Sequence, residues 1–563
     1  MWNLIKIFLI VALWPFVHAT ENVIEFVPPD SLISIDVNET YHLGDINFYE
    51  HHRLPANSVI TIELRAPNDL WTKAFGILQV HSYISTIKLS TNGGSKKDKT
   101  EVNGTNVGFN VYQDGSYILR SNPNDGNVSV IVALVLYRKS SAIPGACNMV
   151  KSVEETPFLD VTLLEETITV DTPPAGSETQ RRHGKTKCST ENLFYEFRYL
   201  SLPKKDFIKK HYFKALKDLM IPRTAEKYGI LVTKVPEFNL RQIYARYAAM
   251  GLFFTTLVMD GYGENITTAY IPGHSFGCSD QQLHHDCHII ENTAFVLLLV
   301  FLMVIGACQI ILGRQLVYLR IIVSSFMIGG YLAYVIFCTV EDWDLKMVII
   351  IVGGVIFAIS WTILWLQCHS VTEVADILAS IINGYTLACL FLYWFGDWNM
   401  MESPMNYWML FSVFIFSVSL LSFPLSRRGA IVNSALQGAI YMSITLLFMF
   451  DGNLQYAIIN NWRRLKEASF ANATIIAHLD LVDHFCAIIW AMSVMSGIFI
   501  QTRIVDGGCS SFGRRSTRPP RHRDEEVQPL IARLTARELG SDDVFLSPQS
   551  NSRFMSRFKR SYF

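Results

Sequence analysis

Residue types able to ligate a metal or carry out acid-base chemistry are densest at His284-His285-Asp286-Cys287-His288. Adjacent residues rarely converge on one ion, and an oxidised Cys287 cannot act as a thiolate ligand. The preferred reading is a solvated stalk with no metal and no cofactor. No nucleophile-base pair lies at a defined depth elsewhere, so no catalytic residue is assigned and no enzyme is expected.

The second place to look for chemistry is the apolar C-terminal half. Seven stretches of about 20 residues, the length a bilayer core demands, run over 293–313, 317–338, 346–367, 376–396, 405–425, 430–450 and 483–502. Their central turns lack Lys, Arg, Asp, Glu and His, the groups that mark proton relays and ion pathways. Only polar neutrals such as Gln309, Asn383, Asn433 and Gln437 remain. Asp376, Asp451 and His484 fall at helix ends, where hydration makes a charge inexpensive. The pairs Gly329-Gly330 and Gly353-Gly354 read as sites of close helix approach. Receptor signatures are missing too: the third stretch ends Trp365-Leu-Gln-Cys-His369, and the seventh has no Asn-Pro-x-x-Tyr.

The elements around these residues follow from composition. The chain has 563 residues, 50% of them hydrophobic and 17% charged, and a mean hydropathy of +0.25, too apolar for a soluble enzyme of this size. A net charge of -1 provides no field for nucleic acid. Residues 1–19, with Lys6 before an apolar run and Val17-His18-Ala19 at its end, read as a cleaved signal peptide. Seven crossings then place the N-terminus outside the cytosol and the C-terminus within it, with Arg314, Arg320, Arg427, Arg428 and Arg503 on the cytosolic side. The glycosylation sequons at Asn38, Asn103, Asn127, Asn265 and Asn472 all fall in segments assigned to the lumen. Arg463, Arg464 and Lys466 in the last luminal loop run against the charge rule. In that loop Ile458, Ile459, Trp462 and Leu465 have helical spacing, which suits an interfacial helix or one packed on the ectodomain.

The fold class expected is a β-rich, sandwich-like luminal ectodomain that turns α+β in its second half, then a seven-helix bundle and a disordered cytosolic tail. The boundaries are 20–145 and 146–291 for the luminal domains, 292–503 for the bundle and 504–563 for the tail. Strand patterns cover 75–90, 107–113, 116–120, 127–138 and 161–170, a polar linker spans 171–187, and a helix is expected around 206–220. Cys147, Cys188, Cys278 and Cys287 are luminal; four cysteines admit three pairings, of which Cys147 with Cys188 and Cys278 with Cys287 is favoured.

Three groups of residues carry a more specific likeness: Trp490, Met492, Ser496-Gly497-Ile498, Gln501 and Arg503; Ala269-Tyr270-Ile271-Pro272, His274 and Cys278-Ser279; and Pro144-Gly145 with Cys147-Asn148. With the order of signal peptide, β-rich region, seven helices and basic tail, the chain resembles the transmembrane 7 superfamily member 3 family. That resemblance implies a glycosylated multi-pass protein linked to cell survival and to attenuation of endoplasmic-reticulum stress and the unfolded protein response, with no catalytic residues to carry over. In the tail, Arg514, Arg515, Arg518, Arg521 and Arg523 suit anionic membrane lipid. Glu526, Leu530 and Ile531 resemble a dileucine sorting signal for a clathrin adaptor, which predicts a plasma-membrane protein with endosomal cycling. Two functions emerge: a non-enzymatic homeostasis factor engaging a luminal or extracellular protein partner, and a receptor or conduit with a ligand-binding ectodomain.

Overall fold

The computed structural model describes residues 25–26, 31–67, 69–91, 100–122, 126–148, 156–176, 193–236, 240–260, 265–278, 293–313, 315–338, 340, 343–367, 372–394, 403–422, 427–476 and 478–513. The signal peptide, the His284–His288 cluster, Cys188, Cys287 and the sorting motif fall outside them.

Two β-rich domains precede the helices. In the first, one sheet orders Glu25–Phe26, Asp45–Leu54, Val128–Arg138, Ala74–Ser82 and Asn106–Val111; the facing sheet orders Leu32–Asp36, Val59–Arg65, Gly115–Ser121, Ile87–Thr91 and Glu101–Gly104. The 75–90 pattern is thus two strands, one in each sheet. A corner at Tyr83–Thr86, where Ile84 takes a left-handed φ of 67°, carries the chain across.

The central strands of the first sheet read as almost unbroken apolar runs because both their faces are covered. Leu78, Val80, Val130, Val132, Leu134 and Leu136 point into the sandwich. The alternate residues Phe75, Ile77, Ile131, Ala133, Val135 and Tyr137 point outward into a second core shared with the following domain. There they meet Tyr212, Phe213 and Leu216 of α1 (Lys209–Leu219), which is followed by α2 (Pro222–Tyr228), together with Phe253, Leu257 and Ile271.

A buried polar chain closes this junction. His81 Nδ1 donates to Asn106 Oδ1 at 2.8 Å, Asn106 Nδ2 donates to His274 Nδ1 at 2.7 Å, and the Tyr212 hydroxyl beside His274 donates to Ser82 O at 2.9 Å. Burial pushes His81 down to about 4 and His274 down to about 3, so both imidazoles are neutral near pH 7.

The second domain pairs Asp160–Leu163, Thr167–Asp171 and Arg241–Ala245 in one sheet, and Ile230–Pro236, Leu193–Lys204, Met250–Asp260 and Asn265–Ala269 in another. The 161–170 pattern is a hairpin rather than a single strand, and its turn carries the charged pair Glu165-Glu166, the first exposed and the second partly buried.

Among the described residues seven apolar helices follow: α3 (Thr293–Leu312), α4 (Val317–Ile336), α5 (Trp343–Gln367), α6 (Thr372–Trp394), α7 (Pro404–Ser422), α8 (Arg427–Met449) and α10 (Leu481–Gly513), with the short α9 (Gln455–Lys466) before the last. Among the described residues six are long and apolar enough to cross a membrane, and α3 contributes Val296–Leu312 as a shorter apolar segment. The glycine pairs do bring α4 against α5. A Cβ on Gly329 would lie 2.3 Å from Phe357 Cβ, and one on Gly353 2.5 Å from Ala333 Cβ.

Candidate functional interface at residues 451–480

The segment between α8 and α10 joins the β-rich region to the helices. It starts at Asp451, whose left-handed φ of 59° turns the chain out of α8. Lys204 Nζ bonds to the Asp451 carboxylate at 2.6 Å and to its carbonyl at 3.0 Å, and Lys205 Nζ approaches the same carboxylate at 3.2 Å. Burial holds the Lys204 ammonium below the usual lysine range, against the opposing pull of Asp451.

Helical spacing then divides α9 into two faces. Tyr456, Asn460, Arg463 and Lys466, three or four residues apart, meet the second β domain. Ala248 N–H donates to the Tyr456 hydroxyl at 2.9 Å, the Tyr247 and Tyr456 rings stand edge to face at 4.6 Å, and Asn460 Nδ2 donates to the Tyr247 hydroxyl at 3.3 Å. The opposite face carries Ile458, Asn461, Trp462 and Leu465 and meets the helices. Asn461 Nδ2 donates to the Tyr407 hydroxyl at 3.2 Å, Asn461 Oδ1 accepts from the Tyr385 hydroxyl at 3.0 Å, and Trp462 Nε1 donates to the Tyr385 hydroxyl at 2.9 Å. Of the apolar residues read in the sequence, Ile458, Trp462 and Leu465 lie on this helix-facing side and Ile459 packs into the core of the β domain, so α9 is packed on the ectodomain as well as on the helices.

The basic residues that run against the charge rule are matched by the hairpin turn of the second β domain. Arg463 Nε lies 2.7 Å from Glu166 Oε2, and Lys466 Nζ lies 2.8 Å from Glu165 Oε2 and 3.5 Å from Glu166 Oε1. The hydrogen bond between them holds the Lys466 ammonium above its usual range and the Glu165 carboxyl below its own. Arg246 Nη1 donates to Glu165 O at 2.7 Å, and Arg463 Nη1 donates to Arg246 O at 2.6 Å. Arg464 lies over the Tyr407 ring at 4.2 Å. Beyond α9, Thr474 N–H donates to Ile243 O at 2.8 Å and Ala245 N–H to Thr474 O at 3.0 Å, which adds one rung to the edge of the three-stranded sheet. Phe470, Ala473, Ile475 and Ile476 complete an apolar core with Tyr244, Tyr247, Phe254 and Tyr393.

The sequence reading missed a second feature, at the helix ends remote from α9. Arg320 on α4 and Asp376 on α6 form an ion pair of 2.6 Å with side chains only 2% and 3% exposed. Asp376 is therefore not a hydrated end-of-helix charge, as was expected, and Arg320 is not a solvated flank. Both fall about one turn inside their helices, where neighbouring helices cover them. The neutral polar residues join them: Asn383 Nδ2 donates to Asn433 Oδ1 at 2.7 Å, and the Gln437 amide donates to Ser324 Oγ at 2.6 Å.

The other residues singled out in the sequence are dispersed. Asn38, Asn103, Asn127 and Asn472 are exposed, and Asn265 opens a strand. Cys147 and Cys278 are both in disulfides, while Cys308, Cys338, Cys389 and Cys486 are free. Among the described residues no group of three or more His, Cys, Asp and Glu could hold a metal.

Comparison with known proteins bears on both regions. Residues 142–281 match the family description "TM7SF3-like, second immunoglobulin-like domain", and residues 299–502 match "TM7S3/TM198-like domain". The relatives named transmembrane 7 superfamily member 3 include those of Homo sapiens, 19% identical over 67% of this chain and 68% of the relative, and Mus musculus, 21% identical over 66% and 68%. A glycoside hydrolase domain, Endo-D of Streptococcus pneumoniae R6, superposes with a TM-score of only 0.12 at 9% identity over 41% of this chain and 34% of that one, which is no shared fold. Both halves of the chain, the immunoglobulin-like domain and the helices it is fastened to, thus carry the same signature, and the chain belongs to the transmembrane 7 superfamily member 3 family of multi-pass membrane proteins.

Proposed function

We propose that this chain is a non-enzymatic glycoprotein of the secretory pathway that engages a luminal or extracellular protein through its β domains and damps the unfolded protein response. The observation that carries the reading is the two-faced grip of α9, which links the immunoglobulin-like domain to the helices through Tyr456 and Arg463 on one side and Asn461 and Trp462 on the other. A partner held on the β domains then also loads the membrane region. The link to stress attenuation and survival is what the family resemblance implies. In this reading the N-terminus is luminal, the tail is cytosolic, and Cys147 pairs with Cys188 and Cys278 with Cys287. Asn38, Asn103, Asn127, Asn265 and Asn472 carry glycans, and Glu526, Leu530 and Ile531 direct clathrin-dependent cycling from the plasma membrane.

Depletion should raise the activity of a stress reporter, and re-expression of the full chain should lower it again. A reporter indifferent to both would refute the proposal. Loss of cycling in a Leu530→Ala, Ile531→Ala double variant is the matching test for the tail. A second reading, as a receptor or conduit, gains support from the buried Arg320–Asp376 pair, because ionisable groups inside a bundle often mark ligand or ion sites. Ligand-evoked current or second messenger on expression would favour it.

A further inference from the structure

The ion pair belongs to a larger polar cluster. Arg320 and Ser324 lie one turn apart on α4; Asp376, Ser380 and Asn383 line one face of α6; Asn433, Gln437 and Tyr441 line one face of α8. All eight are between 0% and 2% exposed. Asn433 Nδ2 donates to Asp376 O at 3.3 Å, and Gln437 Nε2 donates to the Tyr441 hydroxyl at 2.9 Å as well as to Ser324.

These bonds leave five buried atoms without a partner: Arg320 Nε and Nη1, Ser380 Oγ, Asn383 Oδ1 and Gln437 Oε1. Rotating the amides does not repair this. A flipped Gln437 would turn its oxygen toward Ser324 and Tyr441 and strand its nitrogen instead, and a flipped Asn383 would set oxygen against the Asn433 oxygens. Unmatched polar atoms at this depth call for a hydrogen-bonding occupant. Its chemistry follows from the inventory. The guanidinium atoms require acceptors, the two amide oxygens require donors, and the serine accepts either. Arg320 and Asp376 already cancel in charge, so an added ion would stand uncompensated in a low-dielectric interior.

We propose that α4, α6 and α8 enclose a binding site for neutral hydrogen-bonding molecules, of which water is the smallest, at the end of the bundle remote from α9. The site is independent of the role proposed above. It is tested by radiolytic hydroxyl labelling of the full-length chain in lipid nanodiscs, which oxidises side chains beside bound water. Tyr441 is the reporter, and Tyr244, equally buried but within an apolar core, is the reference. The expected result is labelling of Tyr441 at least about fivefold above Tyr244, falling to the reference level in Gln437→Leu. Formamide should protect Tyr441, and sodium chloride at equal osmolality should not. Equal labelling of the two tyrosines in the wild-type chain would overturn the proposal even if Gln437→Leu fails to fold. Protection by sodium chloride would overturn the assignment to neutral molecules, and no protection by formamide would overturn it for anything larger than water.

Discussion

The second β domain is held at two junctions of different composition. Against the first β domain it presents Tyr212, Phe213, Leu216 and Phe253 to an apolar sheet face, with one buried polar chain through His81 and His274. Against α9 and the segment after it, the domain adds to an apolar core around Tyr244 and Phe254 the Tyr247 hydroxyl, the Ala248 amide and the acidic turn Glu165-Glu166. An apolar junction gains its free energy from area removed from water, which salt and competing partners change little, and its acid response is confined to the buried His81 and His274. A junction of ion pairs and hydrogen bonds responds to salt, pH and competing partners. The first joins the two β domains through a shared apolar core, and the second is where their hold on the helices can be adjusted.

Phe253→Ala should have the largest effect on this contrast. Its ring is 0% exposed and stands 5.3 Å from Tyr212, so truncation is expected to cost about 3–5 kcal/mol in denaturant unfolding followed by circular dichroism of the β domains. A loss equally large from a single charge substitution at the α9 junction would erase the distinction.

Acid should act on the two junctions with opposite sign. His81 and His274 have folded values of about 4 and about 3, below the ordinary histidine value, so their contribution is complete above pH ~6.5 and declines as pH falls. Between pH 6.5 and 5 each should lose about 2 kcal/mol at the junction of the β domains. His478, in the segment after α9, is raised by its hydrogen bond to Asp480, so its contribution is complete below pH ~6.5 and is lost as pH rises through the folded value. Hydrogen exchange at pH 5 and 7.5 should show faster opening around Asn106 and slower opening around Thr474 in acid.

Tyr456→Phe removes the acceptor of the Ala248 N–H and should cost about 1–2 kcal/mol, visible as loss of protection at that amide with the junction of the β domains unchanged. The smallest effect is expected from Lys466→Ala, whose partner Glu165 is 77% exposed. About 0.2–1 kcal/mol should be lost in dilute buffer and less in high salt.

The parts of the structure carried by short-range pattern were legible in the sequence. Seven apolar runs, most strand runs of the first domain and the helix near 206–220 depend on periodicity and turn residues, and they stand near their expected positions, except that the 75–90 run divides between two sheets and the last helix continues to Gly513, past its expected end at 502 and into the expected tail. The covered sheet could be suspected from the unbroken run Val130–Tyr137, because a half-exposed strand alternates. Pairings between distant segments were not legible. Arg320 and Asp376 each looked like an ordinary helix flank, and only the arrangement of α4 beside α6 brings them together in a buried interior. The misfit of Arg463 and Lys466 with the charge rule was a visible clue, but their partners lie about 300 residues upstream, in a segment that read as one strand.

That separation also sets an order of assembly. The hairpin carrying Glu165-Glu166 is synthesised long before α9 exists, and at roughly 5–20 residues per second the intervening chain takes about 15–60 s to emerge. For that interval the face of the immunoglobulin-like domain that will receive Tyr456, Phe470 and Ile476 stays uncovered, with Tyr244, Tyr247 and Phe254 at its centre. Completion of the last loop is thus the event that closes the fold, and a nascent chain halted before residue 455 would display to folding factors an aromatic surface that the finished protein hides.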